Sequence, residues 1–314
     1  MRTRPGHPTR SRLLGPAAMV GCAAAWALGT VLSKGVLDRT AMRPLDVLTV
    51  QLVASVVALG TVATLAAVRS RAPVRVGALL RDGWTGLLEP GLAFVLTMVG
   101  LALTSAASAT VLTSLEPVLI PLVAWAVLRS RPTARQLVVV ATAAVGAVVV
   151  AWSGGSGGGS AGGDVLVVLG VGAAALYAVA SSRHAAHHPP VALAAAQQVW
   201  ALALTAAVAG VVAISTGTTW PTQGHLVAVA ATGLCTLSIP FSLYLLALRH
   251  MDVAEAAPYL CLIPVFGVTS SAVLLGEAVG AVQVLGVAVV IAALLVGGVG
   301  SRPRAGTRNR TVAA

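Results

Sequence analysis

Apolar residues fill this chain in long runs that are broken only by short polar stretches. A membrane-spanning helix needs about 20 consecutive, mostly apolar residues, and ten runs meet that length. They cover residues 14–34, 45–68, 84–104, 106–128, 134–152, 164–183, 190–214, 224–248, 252–275 and 278–300. The pattern predicts an all-α integral membrane protein with ten transmembrane helices.

The composition supports a membrane protein over a soluble one. Hydrophobic residues make up 57% of the 314 residues and charged residues only 9%, whereas soluble domains carry about 25% charged residues. The polar stretches between the runs are too short to build a soluble domain. We therefore expect a multi-pass protein of the cell membrane, inner or plasma, with membrane lipid as its surroundings.

The basic residues predict the orientation of the chain. If the N-terminus is cytoplasmic and ten helices alternate, 17 of the 20 Lys and Arg residues lie inside, and only Lys34, Arg39 and Arg43 lie outside. Cytoplasmic loops carry such an excess of positive charge, so both termini are predicted in the cytoplasm. The net charge of +11 is explained by these membrane-flanking arginines and lipid headgroups, and nucleic acid is not expected as a partner.

The N-terminus allows a second interpretation. Its basic start, followed by an apolar run with small residues, is also the pattern of a cleavable signal peptide. The apolar run continues to Leu32, however, which is long enough to span a membrane. We therefore predict a first transmembrane helix here.

The second half of the sequence repeats the first. An offset of 147 residues pairs Phe94 with Phe241 and Pro117 with Pro264, and an offset of 146 pairs Gln51 with Gln197. Five helices per copy is an odd number of crossings, so the second copy would enter the membrane inverted relative to the first.

The repeat divides the chain into five parts. They are a basic cytoplasmic tail (1–13), the first five-helix repeat (14–152), a linker rich in Gly and Ser (153–163), the second five-helix repeat (164–300) and a second basic cytoplasmic tail (301–314). Gly and Ser at the density of this linker favour a flexible coil.

Two long segments resemble a known family. They read SLEPVLIPLVAWAVLRSRPTARQLVVVATAAVGAVVV in the first half and LCLIPVFGVTSSAVLLGEAVGAVQVLGVAVVIAALLVG in the second. With the inverted repeat, they resemble the EamA-type branch of the drug/metabolite transporter superfamily, over about residues 15–300. The resemblance implies the fold and secondary transport of amino acids, metabolites or drugs, without indicating which of these is carried.

The sequence departs from the family pattern at two places. The Gly-Glu pair expected after the fourth helix is replaced by Arg129 and Ser130, although Gly276 and Glu277 retain it after the ninth. The basic residue often seen in the second helix of the family corresponds to Gln51.

Three carboxyl side chains fall inside predicted spans: Glu116, Glu89 and Glu255, which we rank in this order of depth. Ionisable groups inside a membrane are costly and often mark a substrate or proton path. Pro117 and Pro264 occupy equivalent places in the two repeats and are predicted to bend their helices. Because Glu116 is paired with Ile263, the carboxylate is specific to the first half.

Other polar and aromatic side chains complete the predicted site. The substrate-binding or proton-coupling candidates are Glu116, Glu89, Trp26, Gln51, Gln197, Tyr259 and Glu255. Tyr177 and Tyr244 are among the further polar side chains that could complete a cavity. The alternative interpretation is that these groups are hydrogen-bonded packing residues between helices, which is a common role of polar side chains in membrane proteins.

No metal or cofactor is expected. The sequence HAAHH places His184, His187 and His188 at helical spacing, but no carboxylate or cysteine is near them in sequence and two prolines follow, so a solvated loop is the preferred interpretation. The three cysteines all lie within predicted spans and indicate neither a disulfide framework nor a metal site.

These observations predict a secondary transporter of a small organic solute that works as an exporter by alternating access with proton coupling. The contrasting hypothesis is an integral-membrane enzyme acting on a lipid or prenyl substrate. The sequence lacks the clustered Asp, HExxH or nucleophile motifs that such an enzyme would need, so no catalytic residues are assigned. Nothing in the sequence indicates the oligomeric state.

Overall fold

A computed structural model describes residues 8–37, 39–40, 42–71, 75–104, 112–113, 115–129, 131–152, 160–216, 223–275 and 280–298 of the chain. Helices account for nearly all of these residues, and no strand occurs among them. The prediction of an all-helical protein is confirmed.

The described part of the first half includes six α-helices. They are α1 (Pro8–Leu37), α2 (Pro44–Ser70), α3 (Val76–Asp82), α4 (Ala93–Leu103), α5 (Glu116–Leu128) and α6 (Ala134–Trp152). A 3₁₀ segment (Gly83–Leu87) and a wider π-helical turn (Leu88–Leu92) join α3 to α4, so this region crosses the bundle as one interrupted span.

Among the residues described in the second half, seven α-helices occur. They are α7 (Ala161–Ala185), α8 (Pro190–Thr216), α9 (Gln223–Gly233), α10 (Ile239–Leu248), α11 (Val253–Leu260), α12 (Leu262–Leu275) and α13 (Ala281–Gly298). A second π-helical turn (Leu234–Ser238) joins α9 to α10. It lies close to the position equivalent to the π-helical turn of the first half, so both halves interrupt the same span.

Within the described ranges, seven helical spans are long and apolar enough to cross a membrane. Three shorter apolar helices (Glu116–Leu128, Ala134–Gly146 and Val284–Val296) lie where the sequence predicts the fourth, fifth and tenth spans. Large apolar side chains such as Val138, Val211 and Ile214 are exposed on the outside of the bundle. Such a surface suits contact with lipid rather than water, as a multi-pass membrane protein requires.

The fourth predicted helix is described only in part. The sequence predicts a helix over 106–128 with Glu116 near its middle; α5 covers Glu116–Leu128 and residues 112–113 are also helical, while residues 105–111 and 114 lie outside the described ranges. Pro117 occupies the first turn of α5, where a missing backbone N–H costs no hydrogen bond. Pro264 likewise lies in the first turn of α12, so both prolines lie at helix starts.

The boundary between the halves also shifts. Helix α7 begins at Ala161, inside the stretch predicted as linker, and the Ser160 hydroxyl caps it by accepting the Gly163 N–H at 3.1 Å. The Thr104 hydroxyl donates to the Asp164 carboxylate at 2.6 Å, which ties this start to the end of α4. Linker residues 153–159 and the predicted C-terminal tail lie outside the described residues.

The two halves pack by exchanging equivalent contacts. Helix α4 of the first half packs on α7, and the equivalent α10 of the second half packs on α1. In the same way α5 packs on α7 and α12 packs on α1, while α2 packs on α8 and α6 on α13. Glycines allow the closest approaches: a Cβ on Gly233 would lie 2.7 Å from the Cα of Gln51, and one on the equivalent Gly86 would overlap the backbone of Gln197.

Candidate functional site

Five aromatic side chains meet in the interior of the bundle, and we call them the aromatic cluster: Trp26 on α1, Phe94 on α4, Tyr177 on α7, and Phe241 and Tyr244 on α10. Phe241 lies at its centre, with ring centroids 5.3 Å from Trp26, 5.7 Å from Tyr177 and 6.5 Å from Phe94. Tyr177 stacks on Tyr244 at 6.1 Å. The cluster therefore joins helices of both halves, and it brings the repeat-related Phe94 and Phe241 into contact.

Two carboxyl groups border the aromatic cluster. Glu89 is only 3% exposed, and its extended backbone (φ −149°, ψ 134°) interrupts the span between α3 and α4. Glu116 is partly buried at the start of α5, close enough to Glu89 for the two groups to interact electrostatically. Glu89, which the sequence ranks second in depth, is therefore more buried than Glu116. The sequence predicts Glu89 one turn inside a regular helix, whereas it lies within a break in the middle of its span.

The carboxyl groups and the tyrosines belong to one centre. Tyr244 is within electrostatic range of both Glu116 and Glu89, and so is the buried thiol of Cys22. Helix α5 ends at Leu128, which puts Glu116 about 18 Å along the helix from that end. With the end of α5 at the membrane boundary, as the flanking arginines predict, a hydrocarbon core about 30 Å thick would enclose the centre well inside the membrane.

One polar atom in this centre has no partner. The Tyr244 hydroxyl is buried without a hydrogen bond to any residue that the structure describes, whereas the neighbouring Tyr177 hydroxyl donates to the Gln197 side-chain oxygen at 3.1 Å. Buried polar groups are nearly always paired, so this hydroxyl is available to a polar group other than the described residues.

A buried group of hydrogen-bonded side chains, here called the second-half triad, forms around Gln197. The Gln197 amide donates to the hydroxyls of Thr85 at 2.9 Å and Ser181 at 3.1 Å. All three side chains are fully buried. Gln197 therefore supports the aromatic cluster through Tyr177 and is itself satisfied by its neighbours.

An equivalent first-half triad forms around Gln51. Its amide donates to the hydroxyls of Ser33 and Thr232, both at 2.8 Å. Thr232 is separated from Thr85 by 147 residues, which is the offset of the repeat, and each triad takes its threonine from the opposite half. Both glutamines thus hold helices together, which is the packing role considered as the alternative for them.

The two remaining predicted site residues lie on α11. Glu255 is in its first turn beside Asp252, and Tyr259, one turn further along, interacts with Glu255. Helix α11 packs on α5, and Tyr259 packs against the same apolar core as Trp26. The structure therefore brings Trp26, Glu89 and Glu116 together at one centre and places Tyr259 on a helix that packs beside it.

The histidine segment is not the isolated loop that the sequence suggests. Asp82, at the end of α3, accepts a hydrogen bond from His188 Nε2 at 2.8 Å and lies 3.7 Å from His184 Nδ1. The sequence shows no carboxylate near these histidines along the chain, but Asp82, about 100 residues away in sequence, is adjacent to them in the fold. Among the described residues, no group of three or more ligating side chains is arranged to hold a metal ion.

Several members of the centre and its supports were not in the predicted site. They are Cys22, Phe94 and Phe241 at the centre, and Ser33, Thr85, Ser181 and Thr232 in the triads. The scarcity of aromatic residues was an available signal: the chain has only three Phe and three Tyr, and two of each lie in the aromatic cluster. The hydroxyl residues carried no comparable signal, since Ser and Thr occur throughout the apolar runs.

Fold and centre together define a multi-pass membrane protein in which two similar halves enclose aromatic rings and carboxyl groups. The sequence model of the EamA-like transporter family matches residues 13–152 and again residues 161–297. The chain therefore belongs to the EamA-like transporter family, and the resemblance seen in the sequence is confirmed.

Comparison with solved structures supports the fold. One crystal structure of a protein superposes with a TM-score of 0.70 at 21% sequence identity, covering 92% of this chain and 98% of that chain. At this identity the likeness concerns the fold alone. A search of curated proteins found no match, and no comparison points to an enzyme acting on lipid or prenyl substrates.

Proposed function

We propose that this protein is a secondary transporter that exports a small, positively charged organic solute in exchange for protons. Membership of the EamA-like transporter family supports membrane transport of small solutes. The charge of the solute and the exchange with protons are inferred from the chemistry of the buried centre.

The observation that carries the proposal is that Glu89 and Glu116 are close enough to interact electrostatically with each other and with Tyr244 of the aromatic cluster. Aromatic faces attract organic cations, and this attraction strengthens away from water. Carboxylates supply the opposite charge, and the free Tyr244 hydroxyl supplies a hydrogen bond. A metabolite, amino acid or drug with a cationic group and an apolar body could interact with the aromatic faces, the carboxylates and the Tyr244 hydroxyl together.

Proton exchange follows from a shared site. A carboxyl group that holds a proton cannot at the same time pair with a cation, so proton and solute would compete for Glu89 and Glu116. If each state of the transporter carries one or the other, protons entering the cell drive the solute out. This gives the export direction.

Alternating access is supported by the burial of the centre and by the packing of the halves. Glu89 and the central rings are enclosed by helices of both halves, so a solute reaches them only if the halves move apart on one side. The exchanged helix contacts and triads are what a two-fold relation between two inverted five-helix repeats would produce. The proposal includes ten crossings with both termini in the cytoplasm.

A flux assay in proteoliposomes tests this function. We expect a panel of organic cations to include one whose transport follows an imposed pH gradient. Glu116→Gln and Glu89→Gln should each reduce that transport by at least roughly tenfold, the loss of about 1.4 kcal/mol of interaction. Glu255→Gln, which alters a carboxyl group whose described charged neighbour is Asp252 and not Glu89 or Glu116, is the matched control and should transport normally.

The proposal fails if Glu116→Gln and Glu89→Gln, at normal abundance and with a normal unfolding transition, retain both transport and its dependence on the pH gradient. Transport of neutral or anionic solutes alone would contradict the proposed substrate class.

A further inference from the structure

A groove on the outside of the bundle lies apart from the buried centre. It encloses about 320 Å³ between the 3₁₀ segment, α5 and α7. Its walls include Trp84, Val127, Leu176 and Ala180, and Arg183 and His184 line one end. None of the rings of the aromatic cluster, and neither Glu89 nor Glu116, lines it.

The apolar walls face outward. Trp84, Val127 and Leu176 are 43%, 46% and 45% exposed, although each is large and apolar. On a helical bundle inside a membrane, such side chains contact acyl chains. The groove is therefore a depression in the surface that surrounding lipid covers.

The basic end of the groove has unused hydrogen-bonding capacity. Arg183 lies in the last turn of α7 and donates one hydrogen bond, from Nη2 to the Val127 carbonyl oxygen at 3.2 Å. A guanidinium has five N–H donors, and Arg183 forms no ion pair with any carboxylate in the described ranges. The nearby Asp82 is engaged by Arg81 and His188.

We propose that this groove binds one anionic phospholipid of the surrounding bilayer, with its phosphate on Arg183 and the upper part of an acyl chain along Trp84, Val127 and Leu176. Arginine matches phosphate with paired hydrogen bonds, and tryptophan favours the headgroup level of a membrane. Basic pockets between helices on the cytoplasmic side suit anionic headgroups, and the charge pattern places Arg183 on that side.

Native mass spectrometry of the full-length protein tests this proposal. Protein released from bilayers of equal parts phosphatidylglycerol and phosphatidylcholine should retain one phosphatidylglycerol in preference. Arg183→Gln should lower that preference by about fivefold, the contribution of one basic residue near an anionic surface. Arg249→Gln changes another exposed arginine at the predicted cytoplasmic end, outside the groove, and should leave retention unchanged.

Two further measurements distinguish a bound lipid from a soluble anion. Ala180→Leu narrows the apolar part of the groove without changing charge, and it should also reduce retention of phosphatidylglycerol. Glycerol phosphate, which has the headgroup chemistry without acyl chains, should not displace the lipid at millimolar concentration.

Equal losses in Arg183→Gln and Arg249→Gln would overturn the proposal, because they would indicate a general surface charge effect. Displacement by glycerol phosphate would overturn it as well, since the site would then bind a soluble anion. The readout is bound lipid and not solute flux, so its outcome is independent of the transport proposal.

Discussion

Tyr177 and Tyr244 stack on each other in the aromatic cluster and are equally buried, yet they differ in hydrogen bonding. The Tyr177 hydroxyl donates to Gln197, while the Tyr244 hydroxyl has no partner within the described chain. An unpaired buried hydroxyl costs roughly 1–3 kcal/mol. A protein that keeps such a group at the centre of its fold is expected to use it.

Replacing each tyrosine by phenylalanine separates the two roles. Tyr244→Phe should leave stability unchanged or raise it by up to about 1 kcal/mol, because it removes an unpaired group, and should weaken the apparent affinity for the solute several-fold. Tyr177→Phe should lower stability by about 1 kcal/mol, because Gln197 loses a partner. Denaturant unfolding in detergent and the flux assay provide the two measurements.

A loss of stability in Tyr244→Phe equal to that in Tyr177→Phe would contradict the assignment, since it would mean that the Tyr244 hydroxyl is paired in the folded protein. Unchanged solute affinity in Tyr244→Phe would separate this hydroxyl from the transport site.

The acidic residues show how far the sequence leads at this scale. Their cost in hydrocarbon singled out Glu89 and Glu116, and the structure places both beside the aromatic cluster. The sequence did not predict their relative burial. The break at Glu89 depends on the packing of its span against α8, where Gly86 lies on the backbone of Gln197, and this contact joins residues more than 100 positions apart.

At the scale of elements, the two triads act as equivalent clamps between the halves. Each connects a glutamine, a serine and a threonine on three different helices, and each pairs the glutamine of one half with the threonine of the other. Hydrogen bonds between membrane helices contribute about 0.6 kcal/mol on average and up to about 1.7. Each triad therefore contributes modestly to stability, and its main effect is to fix how the three helices are aligned with one another.

A double-mutant cycle tests the pairing. Gln51→Ala combined with Thr232→Ala should show a coupling energy of roughly 0.6–1.7 kcal/mol, because the two side chains share a hydrogen bond. Gln51→Ala combined with Thr85→Ala is the control, and its effects should add to within about 0.5 kcal/mol, because Thr85 belongs to the other triad. Reversible unfolding in bicelles measures both cycles.

Coupling of Gln51 to Thr85 that equals its coupling to Thr232 would argue against two separate triads. It would indicate instead that the glutamines act through a shared change of the whole bundle.

Helix boundaries followed the hydropathy pattern closely where caps or prolines coincide with its edges. Helix α6 occupies the predicted residues 134–152, and α8 begins at the predicted Pro190. For the predicted helix 106–128 the described part is helical from Glu116 onward and at 112–113. Residues 105–111 and 114 lie outside the described ranges, so the first part of that helix and the bend predicted at Pro117 stay predictions.

At the scale of the whole molecule, the exchange of equivalent contacts supports two halves related by a two-fold axis. The proposed inversion makes a direct prediction about topology. Thr133, which precedes α6, and Gly280, which precedes α13, are equivalent positions separated by 147 residues and are both exposed. Inversion would place them on opposite faces of the membrane.

Cysteine labelling measures this arrangement. In a background where Cys22, Cys235 and Cys261 are replaced by Ala, Gly280→Cys should react with an impermeant maleimide added to intact cells. Thr133→Cys should react only after the cells are permeabilised. Labelling of both positions from the same side would exclude inverted five-helix repeats.

The sequence by itself determined that this is a membrane protein, that it is helical, that its two halves are similar, and which family it belongs to. These properties are encoded locally, in apolar runs, flanking charges and short recurring motifs, so they do not depend on how the helices pack. The duplicated glutamines and the buried acids were visible for the same reason.

Only the tertiary structure decided which side chains meet. The helices are apolar on nearly all sides and rich in small residues, so the pattern gives little indication of how each helix is rotated about its axis. The pairing of Glu89 with Glu116, the gathering of the aromatic cluster, the packing role of the glutamines and the contact of Asp82 with the histidines all depend on that rotation. Close packing of glycines and polar groups between the halves sets it, through contacts between residues far apart in the chain.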